Sequence, residues 1–233
     1  MNRRELLRVT AATILAGGLA SDSEASELES ALKPPKKGPI VVAVVVGDGA
    51  TVIDFAGPWE VFQDASVPGN DSPFSLAMVS DNTAPLQASN GMIVTPRFTY
   101  DSLSEQPNVI VIGAQGEHTP KKIDWIKKAS EKADLVMSVC TGAFLLAKTG
   151  LLDGLTATTH HDFYDRFEKQ FPAIHLVRGP RYVEHKKLAT AGGLTSGFEL
   201  ALRVVQRYFG NAIASQTAYY MEYNRSPQRP NSV

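Results

Sequence analysis

The sequence contains a single cysteine among its 233 residues, at position 140. One thiol excludes an intrachain disulfide framework and any metal site built from several cysteines. Neither an HExxH motif nor a close histidine and carboxylate cluster stands out, so we expect no metal site. The 23 basic and 24 acidic residues give a formal net charge of -1. Because there is no excess of positive charge, we expect no nucleic acid or anionic membrane as partner, which favours a small-molecule substrate.

Long apolar runs are also lacking at the N-terminus. The apolar stretch over residues 9–20 is shorter than the roughly 20 residues that a membrane-spanning helix needs. Arg3 and Arg4 precede it, and the whole segment resembles a twin-arginine export signal. We therefore predict a removed signal over residues 1–25, a periplasmic or secreted mature protein, and no membrane attachment after removal.

The rest of the chain divides by composition. Residues 26–38 are polar and contain two adjacent prolines, which indicates a linker. Residues 39–225 are long enough for one globular domain with a full core. Residues 226–233 then form a C-terminal tail.

Strand and helix patterns alternate through this domain. The β-branched run IVVAVVVG, which follows Pro39, is typical of a strand covered on both faces. Further strands are predicted at 74–80, 108–113, 135–139 and on both sides of Asn90-Gly91. Helices are predicted at 119–133, from Ser196 to Gly210 and from Asn211 to about Tyr223. Ser196 and Glu199 fit a capping box, and a further helix is predicted with Pro58 in its first turn. The alternation predicts a three-layer α/β sandwich around a mainly parallel sheet.

Cys140 lies where the strand at 135–139 gives way to a helical pattern. This is the position of a nucleophile elbow. Unpaired N–H groups and the positive end of a helix dipole favour the thiolate there, so we expect a reactive cysteine. The alternative is a buried free cysteine that packs as a small hydrophobe.

Loops at the carboxyl ends of parallel strands converge, which brings other residues to Cys140. Asp54 is either a general acid or base with a raised pKa, or a helix cap. Thr141 offers a hydroxyl at the cysteine's own turn, or it caps the helix start. The loop that carries Gly113, Ala114 and Gln115 either directs backbone N–H groups at developing negative charge or is an ordinary strand-to-helix turn.

No histidine adjoins Cys140 in the sequence. His160 belongs to an adjacent pair, and we predict that it lines the pocket; the alternative is a solvated side chain. His118 follows the Gly113 loop and is a second candidate. We assign no role to His175 or His185.

Three segments together resemble the DJ-1/PfpI superfamily: IDFAGPWEVF, SVCTGAFLLAKTGLLDGLTATTHH and TAGGLTSGFELAL. The similarity runs from about Ile40 to Tyr223 and is greatest to the isonitrile hydratase branch. It implies a flavodoxin-like, class I glutamine amidotransferase-like fold and a homodimer. It also implies a cysteine nucleophile at Cys140, a required carboxylate at Asp54 and an assisting Thr141. The implied reaction is the hydration of an isocyanide to an N-substituted formamide, without a cofactor.

The chain departs from that pattern at two places. PfpI-like peptidases have a histidine directly after the cysteine, whereas Thr141 occupies that position, so we do not expect peptidase activity. The loop reads IGAQGEH, where family members commonly have a proline and two glycines. Because the sequence continues only to Val233, we expect no helix-turn-helix domain of the kind found in AraC-type regulators with this fold.

Two other functions are compatible with the same residues. One is a redox-responsive or small-molecule-binding protein in which the thiol is oxidised or modified. The other is a different hydrolase or deglycase-like reaction at the same pair of residues.

Overall fold

The computed structural model describes residues 31–223. The predicted export signal and the tail at 226–233 lie outside the described residues. Residues 31–38 of the predicted linker contain no helix or strand, although the Leu32 N–H donates to the Arg207 carbonyl at 2.8 Å. Within the described part of the chain, every helix is too short or too polar to cross a membrane.

Eleven strands and six helices are described. The strands are β1 (Ile40–Val45), β2 (Phe74–Ser80), β3 (Leu86–Gln87), β4 (Ile93–Val94), β5 (Phe98–Thr99), β6 (Val109–Ile112), β7 (Leu135–Val139), β8 (Thr156–Ala157), β9 (His175–Leu176), β10 (Tyr182–Glu184) and β11 (Leu188–Ala191). The helices are α1 (Val52–Asp64), α2 (Pro120–Lys132), α3 (Gly142–Lys148), α4 (Tyr164–Gln170), α5 (Ser196–Phe209) and α6 (Asn211–Tyr220). The predicted strands at 74–80 and 135–139 are confirmed with the same bounds.

The central sheet has seven strands in the order β10-β11-β7-β6-β1-β2-β5. All neighbours pair in parallel except β10 and β11, as the predicted mainly parallel sheet requires. Successive side chains of a strand face opposite layers, and both layers are apolar here. In β1, Val42 and Val44 pack in the core beneath α1 and α5, while Ala43 and Val45 pack beneath α2 and α3. The flavodoxin-like three-layer sandwich is therefore confirmed.

Two local predictions about helix starts are wrong. Pro58 lies inside α1 rather than in its first turn, because the helix already begins at Val52. Since proline has no N–H, Pro58 cannot form the helical hydrogen bond to the Asp54 carbonyl. The predicted capping box at Ser196 is absent, because Thr195 is the N-cap of α5 without a side-chain cap and Glu199 pairs with Arg181 instead. Tertiary packing outweighs the local preference at both positions.

The carboxyl ends of β1, β6, β7 and β11 share one edge of the sheet, which brings their loops together. Gly142, the first residue of α3, allows a close approach: a Cβ built on it would lie 2.1 Å from the Ile112 carbonyl oxygen. The start of α3 therefore rests directly on the backbone at the end of β6. A side chain at this position would push the two loops apart.

We expect Gly142→Ala to lower the free energy of unfolding by about 3 kcal/mol, near the upper range for overpacking. The control is Gly154→Ala, where a Cβ meets nothing within 4 Å but φ is 76°. Its cost should be about 1 to 2 kcal/mol, from backbone strain alone. Urea unfolding of both variants measures the difference. Equal stability of the two variants would contradict the close packing of α3 on β6.

Candidate functional site

Cys140 links β7 to α3 in a left-handed backbone conformation, with a φ of 60°. Such a conformation is unusual for a residue with a side chain, and it persists only where its surroundings hold it. Here the Cys140 N–H donates to the Gly192 carbonyl at 2.8 Å, and the Thr159 hydroxyl donates to the Cys140 carbonyl at 2.8 Å. Both backbone groups of Cys140 are thus fixed, and the turn predicted from the sequence is present.

Asp54 lies in the first turn of α1 and is fully buried. Its Oδ2 accepts a hydrogen bond from the Ala114 N–H at 3.2 Å, and its carboxyl group also interacts with the Cys140 thiol and the Leu194 N–H. Oδ1 is buried and has no partner of strict hydrogen-bond geometry among residues 31–223. The helix-cap alternative does not hold, because the carboxyl group binds other loops rather than its own helix. An acceptor with spare capacity beside a thiol suits a general base.

The protonation of this pair differs in part from the prediction. Burial raises the pKa of Asp54, as predicted. Burial and the neighbouring Asp54 charge also raise the pKa of Cys140, to about 12, so the expected resting thiolate is wrong. Desolvation of the sulfur and the Asp54 charge together outweigh the two hydrogen bonds from Thr141, which lower the pKa of the thiol. The resting pair is an un-ionised thiol beside Asp54.

Thr141 also contacts the sulfur. Its backbone N–H and its hydroxyl both donate to Cys140 Sγ, and both lower the pKa of the thiol. The hydroxyl does not cap α3, which excludes the alternative role. Two donors aimed at the sulfur stabilise negative charge there when the proton leaves.

We expect Thr141→Val to raise the pKa of Cys140, because the variant loses a hydroxyl that donates to the sulfur. Alkylation by iodoacetamide at a fixed alkaline pH should slow roughly fivefold, the equivalent of one hydrogen bond. Thr141→Ser keeps the hydroxyl and should restore most of the rate. An unchanged rate in Thr141→Val would remove the hydroxyl from the site.

The loop over Gly113, Ala114 and Gln115 is close to the pair but offers less than predicted. The Ala114 N–H is bound to Asp54, so in this structure it is not a free oxyanion donor. Gln115 Nε2 donates to the carbonyls of Val45 and Gly113, each at 3.2 Å. Gly113 lies against Asp54, and a Cβ there would be 3.0 Å from the Asp54 Cβ. The loop therefore positions Asp54.

A buried lysine supports that loop, and its position could not be predicted from the sequence. Lys122 Nζ donates to Gln115 Oε1 at 3.0 Å and to the Glu117 carbonyl at 2.8 Å. Asp81 lies 3.6 Å from the same nitrogen. In the sequence, Lys122 is indistinguishable from the solvated lysines of an amphipathic helix.

His118 rather than the predicted His160 lines the small cavity beside Thr141, but His160 lies near Asp54. Its charge acts on Asp54, and its ring lies so close to Gly193 that a Cβ there would be 2.0 Å from His160 Cδ2. Only glycine leaves room for the imidazole at this position. His118 is half-buried, while His175 lies in β9 and His185 directly follows β10 at the edge of the central sheet.

The expectation of no histidine and carboxylate cluster needs a correction. One donor atom each from His160, His161 and Asp162 lies within 4.8 Å of the others, a separation that permits a metal ion. However, His160 Nδ1 already accepts from the Asp162 N–H at 3.2 Å, and two of the three residues are exposed. The sequence HHD places these groups together in a single turn.

Leu194 is a further residue that the sequence analysis missed. Its φ is 56°, so it is strained in the loop that precedes α5, and its N–H points at the Asp54 carboxyl group. Backbone strain at a functional site is characteristic of residues that must hold one geometry. The glycine pair before Leu194 was the available indication of a special turn.

The DJ-1/PfpI family model matches residues 41–207, which is most of the chain. The chain belongs to the DJ-1/PfpI family. A THiJ/PfpI family protein from Pseudomonas syringae has a similar structure, with a TM-score of 0.71 and 23% identity over 86% of this chain and 82% of that one. The fold and the membership of the DJ-1/PfpI family agree with the resemblance in the three sequence segments.

The relatives of this chain include proteins with different named functions. Isonitrile hydratase of Pseudomonas putida is 29% identical over 180 residues, which is 75% of each chain. An uncharacterized protein in the cpoL 5' region of Streptomyces lividans is 37% identical over 127 residues, 53% of this chain and 89% of the relative. The HTH-type transcriptional regulator CdhR of Pseudomonas aeruginosa is 26% identical over 60% of this chain and 43% of the regulator. The DJ-1/PfpI family thus includes both an enzyme and regulators.

Proposed function

We propose that this protein is a cofactor-free, cysteine-dependent enzyme that hydrates an isocyanide to an N-substituted formamide. The observation that carries the proposal is the buried contact between the Cys140 thiol and the Asp54 carboxyl group, with Thr141 donating to the same sulfur. The similarity to isonitrile hydratase supports the choice of substrate. The competing proposal is a different hydrolytic reaction at the same two residues, which a panel of substrates would reveal.

The first half of the reaction needs a nucleophile and one proton. Asp54 takes the proton from Cys140 as the sulfur attacks the terminal carbon of the isocyanide, so a C–S bond forms while the S–H bond breaks. Asp54 then delivers that proton to the same carbon. The product is a thioimidate, in which the former isocyanide carbon carries one hydrogen and the sulfur of Cys140. Thr141 stabilises the negative charge on sulfur during the transfer.

The second half adds water. Asp54, again ionised, removes a proton from a water molecule as the water oxygen bonds to the thioimidate carbon. Asp54 then passes this proton to the nitrogen. The C–S bond then breaks, the hydroxyl becomes the formyl carbonyl, and its proton returns to the sulfur through Asp54. The sum is one isocyanide plus one water to one formamide, with both residues restored. A carboxyl group with a raised pKa can accept and release protons in this way near neutral pH.

The direct test is to incubate the purified protein with a panel of alkyl and aryl isocyanides and to follow the formamide by NMR. In water enriched in oxygen-18, the formyl oxygen should carry the label. Absence of any formamide above the rate without protein would rule out the proposed function.

The redox-responsive alternative has less support in the site geometry. Oxidation of a cysteine by peroxide proceeds through the thiolate. Burial and the Asp54 charge raise the pKa of Cys140, which keeps the thiolate fraction low at neutral pH. The pair is better suited to proton transfer at the moment of attack than to a standing reactive thiolate.

A further inference from the structure

A small cavity adjoins the Cys140 turn. Its volume is about 170 Å³, and Thr141, which contacts the Cys140 sulfur, forms part of its wall. Phe144 and Phe163 give the cavity an apolar side. The remaining lining residues are Gln115, Gly116, His118 and Arg166. A ligand in this cavity would therefore be bordered both by Thr141, which contacts the sulfur, and by Arg166.

Arg166 is a cation without an acidic partner within residues 31–223. Its guanidinium carbon lies 5.5 Å from the centre of the Phe144 ring. The acids of its own helix are engaged elsewhere, because Asp165 and Glu168 both pair with Arg178, at 2.8 and 3.0 Å. The ring holds the guanidinium at the cavity by a cation–π contact.

The lining of the cavity carries positive charge, while acidic residues near Lys122, such as Glu117 and Asp81, lie outside the lining. The cavity lining includes no aspartate or glutamate among the described residues. Burial and the nearby charges of Lys148 and Lys122 lower the pKa of His118 to about 4, so its imidazole is neutral near pH 7. Burial is the larger cause of this shift, and the lysine charges add to the positive potential that Arg166 provides, which attracts anions.

We propose that Arg166 binds an anionic group of the substrate, such as a carboxylate, so that this site selects anionic over neutral electrophiles. This deepens the proposed function, since the preferred substrate becomes an isocyanide that carries a carboxylate. Arginine is suited to the task because its planar fork forms two parallel hydrogen bonds to one carboxylate. The phenylalanines contact the apolar part that joins the isocyanide and the carboxylate.

The first experiment compares isocyanoacetate with isocyanoacetamide, which differ mainly in charge. In the wild type, kcat/KM should be higher for the anion. Arg166→Gln should lower it roughly tenfold to a hundredfold for the anion, the value of a charge-assisted hydrogen bond, and less than about twofold for the amide. Arg97→Gln is the matched control, because Arg97 also lies over a phenylalanine ring, at 5.4 Å, but outside this cavity. It should change neither value.

A second experiment needs no turnover. Cys140 is the only thiol, so alkylation by iodoacetate and by iodoacetamide reports on this site alone. The ratio of the two rates, relative to the ratio for N-acetylcysteine, should favour iodoacetate in the wild type and in Arg97→Gln. It should fall by roughly tenfold or more in Arg166→Gln.

The outcomes of the two experiments are distinguishable. If no isocyanide reacts but the alkylation ratio still depends on Arg166, the proposed hydration fails and the anion site stands. If isocyanides are hydrated without a charge preference and the alkylation ratio is unchanged in Arg166→Gln, the anion site is overturned while the proposed hydration stands.

Discussion

Replacing Cys140 with serine should reduce isocyanide hydration roughly a thousandfold or more, the scale seen when a nucleophile is removed. Serine fits the same volume and can donate to Asp54, but its hydroxyl is a much poorer nucleophile than sulfur. Burial already disfavours ionisation at this position, and the less acidic hydroxyl suffers more from it. Steady-state formation of the formamide measures the loss.

The matched measurement for Cys140→Ser is its stability. Hydrogen bonds between the Cys140 backbone and the residues Gly192 and Thr159 hold this turn, and these bonds do not involve the sulfur. Urea unfolding should therefore be close to that of the wild type. Activity of Cys140→Ser within about tenfold of the wild type would mean that hydration does not pass through this sulfur.

Asp54→Asn should lower kcat by about 100-fold to 10,000-fold, the range for a lost general acid or base. The same variant should make the thiol more acidic. The Asp54 charge helps to raise the pKa of Cys140, and asparagine carries no charge, so the pKa of Cys140 should fall. The pH dependence of alkylation by iodoacetamide measures this shift. Catalysis and thiolate formation should thus change in opposite directions.

The free energy of unfolding of Asp54→Asn shows whether its loss of activity comes from misfolding. The pKa of Asp54 is raised in the folded chain, so its ionisation costs stability as the pH rises through that value. Asp54→Asn should therefore be at least as stable as the wild type at neutral pH. Asp124→Asn is the control, because Asp124 is exposed on α2; it should leave activity and thiol titration unchanged. A lower stability of Asp54→Asn together with an unshifted thiol would contradict the Cys140 and Asp54 contact.

The sheet was predictable from the sequence because its signals are local. Runs such as IVVAVVVG and LVMSV are apolar on both faces, which is typical of a covered parallel strand. The ends of α1 and α5 were not predictable in the same way. Pro58 and Ser196 have strong local preferences for a helix start, and packing between α1 and α5 overrides both.

The same distinction applies to the site. Cys140 and Asp54 could be found because each stands next to a recognisable strand end. The Ala114 N–H and the Leu194 N–H could not be assigned, because they reach Asp54 from loops 60 and 140 residues away along the chain. The raised pKa of Cys140 was also missed, since it depends on burial and on a charge that only the fold brings near.

The most direct test of the proposed mechanism is the mass of the peptide that contains Cys140, measured after rapid quenching of the protein with an isocyanide. This peptide should gain the full mass of the isocyanide, and the adduct should decay at the rate at which formamide appears. Formamide production in Cys140→Ser at the wild-type rate, with no adduct on the wild-type peptide, would contradict the proposed mechanism.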